Sequence, residues 1–184
     1  MAPDLFSEAV APSFDDPLGM LSACHGRIER QLATLDRLQR HLPEHGCDAD
    51  ARTAARAILK YFDTAAPNHH ADEEASVFPR LRSGLAGRAD ELIAGLEREH
   101  SMLAANWRHL RPLLASIAAG ARANLAPKHV AAVRAAYESH IAKEESKLIP
   151  LAARTFDAAT IADIGREMAA RRASTPAAHP HRGG

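Results

Sequence analysis

The chain has 184 residues, with 23 basic and 23 acidic side chains and a formal net charge of zero. That length suits one domain with a sizeable core, and the lack of a basic excess argues against nucleic acid or an anionic membrane as a partner. No apolar run is long enough to span a membrane. The start Met-Ala-Pro-Asp-Leu-Phe-Ser-Glu has neither the cationic nor the apolar part of a signal peptide, and only Cys24 and Cys47 occur, so a reducing cytoplasm is expected.

Alanine, leucine, arginine and glutamate dominate, β-branched residues are sparse and no alternating strand pattern stands out, which predicts an all-α fold. Residues 1–15 read as an irregular leader. Asp16-Pro17 has the form of an N-cap followed by proline at the first helical position, opening a helix to Leu42. Asp48 caps a second helix running to about Arg82, with Gly84 closing it. A third spans Arg88 to Ala119, ended by Gly120. Pro127 opens a fourth, to about Arg154, and Asp157 caps a shorter fifth, to about Arg172. The expected organisation is a leader (1–15), a helical bundle (16–172) and a disordered tail (173–184) that carries His179 and His181. Pro67 is expected to bend the second helix, and Pro79 and Pro150 to mark matched kinks or helix ends.

Within this frame one pattern occurs twice. His69 precedes Glu73 by four residues, and His140 precedes Glu144 by four, so each pair shares a helix face one turn apart. Each pair runs into a similar exit, Glu73-Glu74-Ala-Ser-Val-Phe-Pro79 and Glu144-Glu145-Ser-Lys-Leu-Ile-Pro150. A lone histidine stands upstream of each, His25 and His100.

All six residues fall on apolar stripes. The first helix gives Leu18, Leu21, His25, Ile28, Leu32 and Leu35; the second gives Ile58, Phe62, Ala66, His69, Glu73 and Val77. The third gives Ile93, Leu96, His100, Leu103, Trp107, Leu110, Leu114 and Ile117, and the fourth gives Val130, Val133, Tyr137, His140, Glu144, Leu148 and Leu151. Desolvating an ionised carboxylate costs several kcal/mol unless it is paired or coordinated. A dinuclear metal centre supplies the missing positive charge. Each ion takes two imidazoles, Glu73 and Glu144 bridge, and an oxo or hydroxo group completes the bridge. Oxygen and nitrogen donors without thiolate suit two iron ions, with manganese or zinc as alternatives. Cys24, next to His25, is rotated off the ligand face.

These motifs resemble the haemerythrin-like, or HHE cation-binding, domain over about residues 17–155. His25, His69-x-x-x-Glu73 with Val-Phe-Pro, Glu99-His100, and His140-x-x-x-Glu144 with Leu-Ile-Pro carry the resemblance. It implies an up-down-up-down four-helix bundle around a non-haem di-iron centre. The positions four away from His100 are Leu96 and Ala104, and Glu144 follows His140 by four residues rather than five. The chain is therefore similar to the symmetric four-His, two-Glu branch. That branch includes bacterial di-iron proteins linked to repair of iron–sulfur centres under nitrosative stress, whose N-terminal cysteine pair is not found here.

An alternative register makes His70 and Glu74 the ligands in place of His69 and Glu73. Otherwise Glu74, Glu99 and Glu145 are flanking groups that orient imidazoles. Tyr137 is read as core, with a hydrogen bond to a bound ligand as its functional alternative; Trp107 is read as core and His109 as surface. Cys47 sits in a loop. Three functions remain open: a binder of O₂, NO or peroxide for carriage, sensing or detoxification; a stress-related di-iron enzyme or cluster-repair protein; and an iron-responsive regulatory module. The first is favoured, because no general base or nucleophile elbow is visible. A monomer or weak homodimer is expected.

Overall fold

In the computed structural model, residues 13–174 are described, and among them every regular element is a helix. Seven α-helices follow in order: α1 (Pro17–His45), α2 (Ala49–Asp72), α3 (Phe78–Gly84), α4 (Asp90–Ala118), α5 (Pro127–Lys143), α6 (Ile149–Thr155) and α7 (Ala158–Ser174). The leader expected over 1–15 and the tail expected over 173–184 lie outside the described residues, apart from 13–15 and 173–174. Among the described residues no helix is long and apolar enough to cross a membrane.

The expected caps are formed. The Asp16 carboxylate accepts from the Gly19 amide at 3.0 Å, Asp48 from Ala51 at 2.8 Å and Asp157 from Thr160 at 2.8 Å. Each satisfies an amide that the first helical turn leaves without a partner. The turn after α3 departs from expectation. Gly84 stays helical, and the left-handed residues are Ala86 (φ 47°) and Gly87 (φ 83°). A Cβ in that region is strained by about 1 kcal/mol. Ala86→Gly should therefore raise stability by about 0.5–1 kcal/mol in a urea melt; a loss of stability would show that the turn carries no such strain.

Pro67 stands inside α2, whose helical run continues across it to Asp72. Pro79 and Pro150 do not end their helices at a simple kink. Each is preceded by a π-helical turn, Glu73–Val77 and Glu144–Leu148, which joins α2 to α3 and α5 to α6. The Phe78 amide donates to the Glu73 carbonyl, and the Ile149 amide to the Glu144 carbonyl, each five residues back. A proline ring clashes with the carbonyl four residues earlier and offers no N–H, and the wider turn accommodates both defects. The extra residue also shifts the buried stripe by one position. Leu151, expected on the seam, is only partly buried, and Ala152 takes the buried place.

α1 and α4 both pack on α2, and α1 and α4 also pack on α5; α7 lies against α1, α2 and the first π turn. Two apolar clusters result. Leu18, Leu21, Ile93 and Leu96 join Val77, Phe78, Leu81, Leu148, Ile164 and Met168 in one. Ile28, Leu32, Leu35, Phe62, Leu103, Leu110, Leu114, Val133 and Tyr137 belong to the other. Along α1 and α4 the chain passes from the first cluster to the second; along α2 and α5 it passes the opposite way. The six motif residues occupy the level where each helix crosses between clusters. Trp107, expected in the core, packs against the second cluster from its rim, with its indole N–H on Asp63 at 3.1 Å.

Candidate metal centre

His25, His69, Glu73, His100, His140 and Glu144 are all buried, and both glutamates are fully so. They converge in two overlapping sets, His25/His69/Glu73/Glu144 and Glu73/His100/His140/Glu144. In each set the donor atoms lie within 4.8 Å of one another. Both carboxylates are shared. Glu144 Oε2 lies 3.0 Å from His25 Nε2, and Glu144 Oε1 lies 3.0 Å from His140 Nε2 and 3.6 Å from His100 Nε2. Glu73 Oε2 lies 3.3 Å from His100 Nε2 and 3.8 Å from His69 Nε2. The Nε2 atoms of His100 and His140 approach to 3.1 Å.

These short distances do not add up to a hydrogen-bonded cluster. All four oxygens of Glu73 and Glu144, and the Nε2 atoms of His25 and His69, are buried without a partner in hydrogen-bond geometry. Buried polar groups are otherwise almost always satisfied, because leaving one unpaired costs about 1–3 kcal/mol. Apart from the His100 Nε2–His140 Nε2 contact at 3.1 Å, the donors point at shared space rather than at each other. Nitrogen and carboxylate oxygen atoms arranged in this way could hold metal cations.

A ring of outer carboxylates orients three of the imidazoles. His25 Nδ1–H donates to Glu145 at 2.5 Å, His100 Nδ1–H to Glu74 at 2.7 Å and His140 Nδ1–H to Glu99 at 3.0 Å. Each bond directs the Nε2 lone pair inward. Glu99 is in turn held by the Lys143 ammonium. The outer carboxylates keep contact with water, with side-chain exposures of 47% for Glu74, 40% for Glu145 and 25% for Glu99. Of the alternative pair, His70 groups with His100 and His140 within 4.8 Å, whereas Glu74 joins none of the three donor groups. Glu73 is inside, and Glu74 faces outward as a support for His100. Tyr137 is buried in the second apolar cluster, and His109 is exposed. Cys24 and Cys47 are free thiols outside the donor sets, with Cys24 Sγ accepting from Arg27 at 3.1 Å and Cys47 Sγ donating to the Ala121 carbonyl at 3.0 Å.

Sequence reasoning missed Asp72. It is fully buried beside the site and paired with Arg171 and Arg172 of α7, the latter at 2.7 Å; Arg171 also donates to Ser76 at 3.1 Å. The signal was present as an Asp between His-His and Glu-Glu and an Arg pair near the chain end, but neither lies on an apolar stripe.

Residues 16–152 match the hemerythrin HHE cation-binding domain. The chain belongs to this hemerythrin HHE family. An uncharacterized protein of Haemophilus influenzae is 32% identical over 160 residues, spanning 87% of this chain and 92% of its own length. HHE domains bind metal cations, and the buried donor sets lie within the matched span.

In this HHE domain protons occupy the donors when metal does not. Burial opposes charge on His25 and His100, yet the facing carboxylates prevail and raise them to about 9 and about 10. Burial and the neighbouring Glu144 charge raise Glu73 to about 8. Burial also opposes the Glu144 charge, but the imidazoles of His100, His140 and His25 hold it below the ordinary carboxylate range. Burial, aided by the neighbouring imidazoles and opposed by Glu144, lowers His69 to about 3. The raised values of His25, His100 and Glu73 favour bound protons in the metal-free site, which cation binding must expel. Protons should therefore be released as the centre fills. Because those groups have raised pKa values, metal affinity should fall as pH drops below 7 and rise as pH climbs towards 10. Calorimetry in two buffers of different ionisation enthalpy reads the release directly, and identical heats in both would contradict it.

Proposed function

We propose that the chain is an up-down-up-down four-helix bundle, residues 16–172, that holds two iron ions and binds O₂, NO or peroxide. His25 and His69 hold one ion, His100 and His140 the other, and Glu73 and Glu144 are shared. The opposite passage of α1 and α4 relative to α2 and α5 between the two apolar clusters supports the bundle topology. The observation that carries the metal reading is the set of four carboxylate oxygens, buried and unpartnered between two imidazole pairs. A donor set of nitrogen and oxygen without thiolate favours iron, with manganese and zinc as competitors. When bound, such an ion pair supplies redox change and coordination positions open to small ligands.

The chain's own contribution is positional and electrostatic. Glu145, Glu74 and Glu99 fix the imidazole rings, and the apolar clusters above and below exclude water. Among the described residues the outer carboxylates, Lys143 and His70 stand beside the donors, and the buried, enclosed centre favours capture of a small ligand over turnover of a larger substrate. Anaerobic purification with metal analysis, followed by optical spectra before and after O₂, NO and peroxide, tests this. Two irons per chain and a near-ultraviolet change on ligand exposure are expected. Zinc alone, or spectra unmoved by all three ligands, would refute it.

A further inference from the structure

His70 belongs to neither of the two four-residue donor sets, yet it forms a third group with His100 and His140 and is held against the centre. Its ring stacks on His100, with centroids 4.0 Å apart and planes 14° from parallel, and meets His140 edge-on at 6.1 Å. The Phe78 ring also lies 6.0 Å from that of His100, on a near-parallel plane. A ring nitrogen of His70 comes within 4.8 Å of ring nitrogens of both His100 and His140. Its Nε2 is buried with no hydrogen-bond partner. Both nitrogens of an imidazole seek partners, so an immobilised ring with a spare buried one has unused donor capacity.

His70 also lines a cavity of about 230 Å³ walled by Phe62, Ala66, Ala104, Trp107 and Tyr137. Ala66 is buried and Ala104 is exposed, so the cavity runs inward from the surface to His70, whose ring in turn stands against His100 and His140. Its walls are mostly apolar. A small, weakly hydrated ligand passes such walls at little cost, and a polar group at the inner end then fixes its orientation.

We propose that this cavity admits the small ligand to the His100/His140 half of the centre, and that His70 donates a hydrogen bond to it there. The inference rests on the di-iron reading above and adds which half of the centre is approached and which residue holds the ligand. His70 is a positioning residue for the ligand rather than a metal ligand. Its N–H meets any ligand with a lone pair or negative charge on its outer atoms, a property shared by peroxide, NO, O₂ and the probe azide.

The test uses the iron-loaded full chain and azide, with iron content, optical binding titration and stopped-flow rates as readouts. His70→Leu keeps the ring's volume roughly and removes the donor; His70→Gln restores an N–H. His70→Leu should keep two irons per chain and bind azide about tenfold more weakly, and His70→Gln should recover most of that loss. Ala104→Trp, at the exposed mouth, should slow azide association and dissociation together while leaving the equilibrium near the parent value. Parent-like affinity in His70→Leu would overturn the donor role, and loss of iron in it would overturn the role by making His70 a ligand. Parent-like rates in Ala104→Trp would overturn the access route. If the parent chain itself takes up iron but shows no azide band, the di-iron ligand-binding reading fails, and this inference falls with it.

Discussion

On the proposed two-ion centre, Glu144→Ala is expected to lose at least one metal ion and to lower stability at the same time. Glu144 is the most connected donor, with oxygens 3.0 Å from both His25 and His140 and 3.6 Å from His100. It belongs to both donor sets, so its loss opens both. In the metal-free chain its removal also takes from His25 and His100 the fully buried carboxylate that faces both, and breaking a buried charge pair costs about 3–5 kcal/mol. Metal analysis and thermal melts, with and without chelator, separate the two effects. Glu145→Ala is the control. Its carboxylate is 40% exposed and touches only the outer nitrogen of His25, so metal affinity should fall by roughly 10–100-fold with the fold intact. Two ions retained in Glu144→Ala would remove it from the donor set.

Asp72→Ala should be the most damaging change outside the donors. The carboxylate is fully buried and receives both Arg171 and Arg172, and it stands one residue before the first π turn. Removing it leaves two guanidiniums at a site shaped for a paired charge. Their exposures of 21% and 26% let water take up part of the deficit. The loss should therefore lie near the low end for a broken buried pair, about 3 kcal/mol. That corresponds to a drop in melting temperature of roughly 10 °C for a chain of this size. Hydrogen exchange should locate the effect in α7, whose further ties to this region include the Arg171–Ser76 bond and the two-pronged Arg80–Glu167 pair at 2.7 and 3.1 Å. A shift too small to resolve, with α7 still protected, would show that apolar contacts from Ile164 and Met168 hold α7 without the ion pairs.

Where the sequence was legible, periodicity made it so. A histidine that takes the place of a leucine on a stripe, as at 25 and 100, can be placed inward from spacing alone. The duplicated His-x-x-x-Glu then brings the remaining four donors to the same level. Caps at Asp16, Asp48 and Asp157 were equally readable, because each is a local hydrogen bond between neighbours in sequence. The π turns were not readable from a 3.6-residue template. Pro79 and Pro150 signalled a defect, but a kink, a helix end and a widened turn all satisfy a missing N–H. Only tertiary packing selects among them, and the choice moves the buried position from Leu151 to Ala152. Asp72 escaped for a related reason. Its partners lie about a hundred residues away in α7, and no local pattern records so distant a pairing. His70 was visible as one member of a competing register. Its stacking on His100, and the cavity beside it, depend on how α2, α4 and α5 come together.

The most direct test of the shared-carboxylate centre is an anomalous-difference map from crystals of the chain purified with its metal, recorded at the absorption edge of whatever ion analysis identifies. Two peaks are predicted, one between His25 and His69 and one between His100 and His140, both within coordination distance of Glu73 and Glu144. A single peak, or density bound to only one of the two glutamates, would contradict the account.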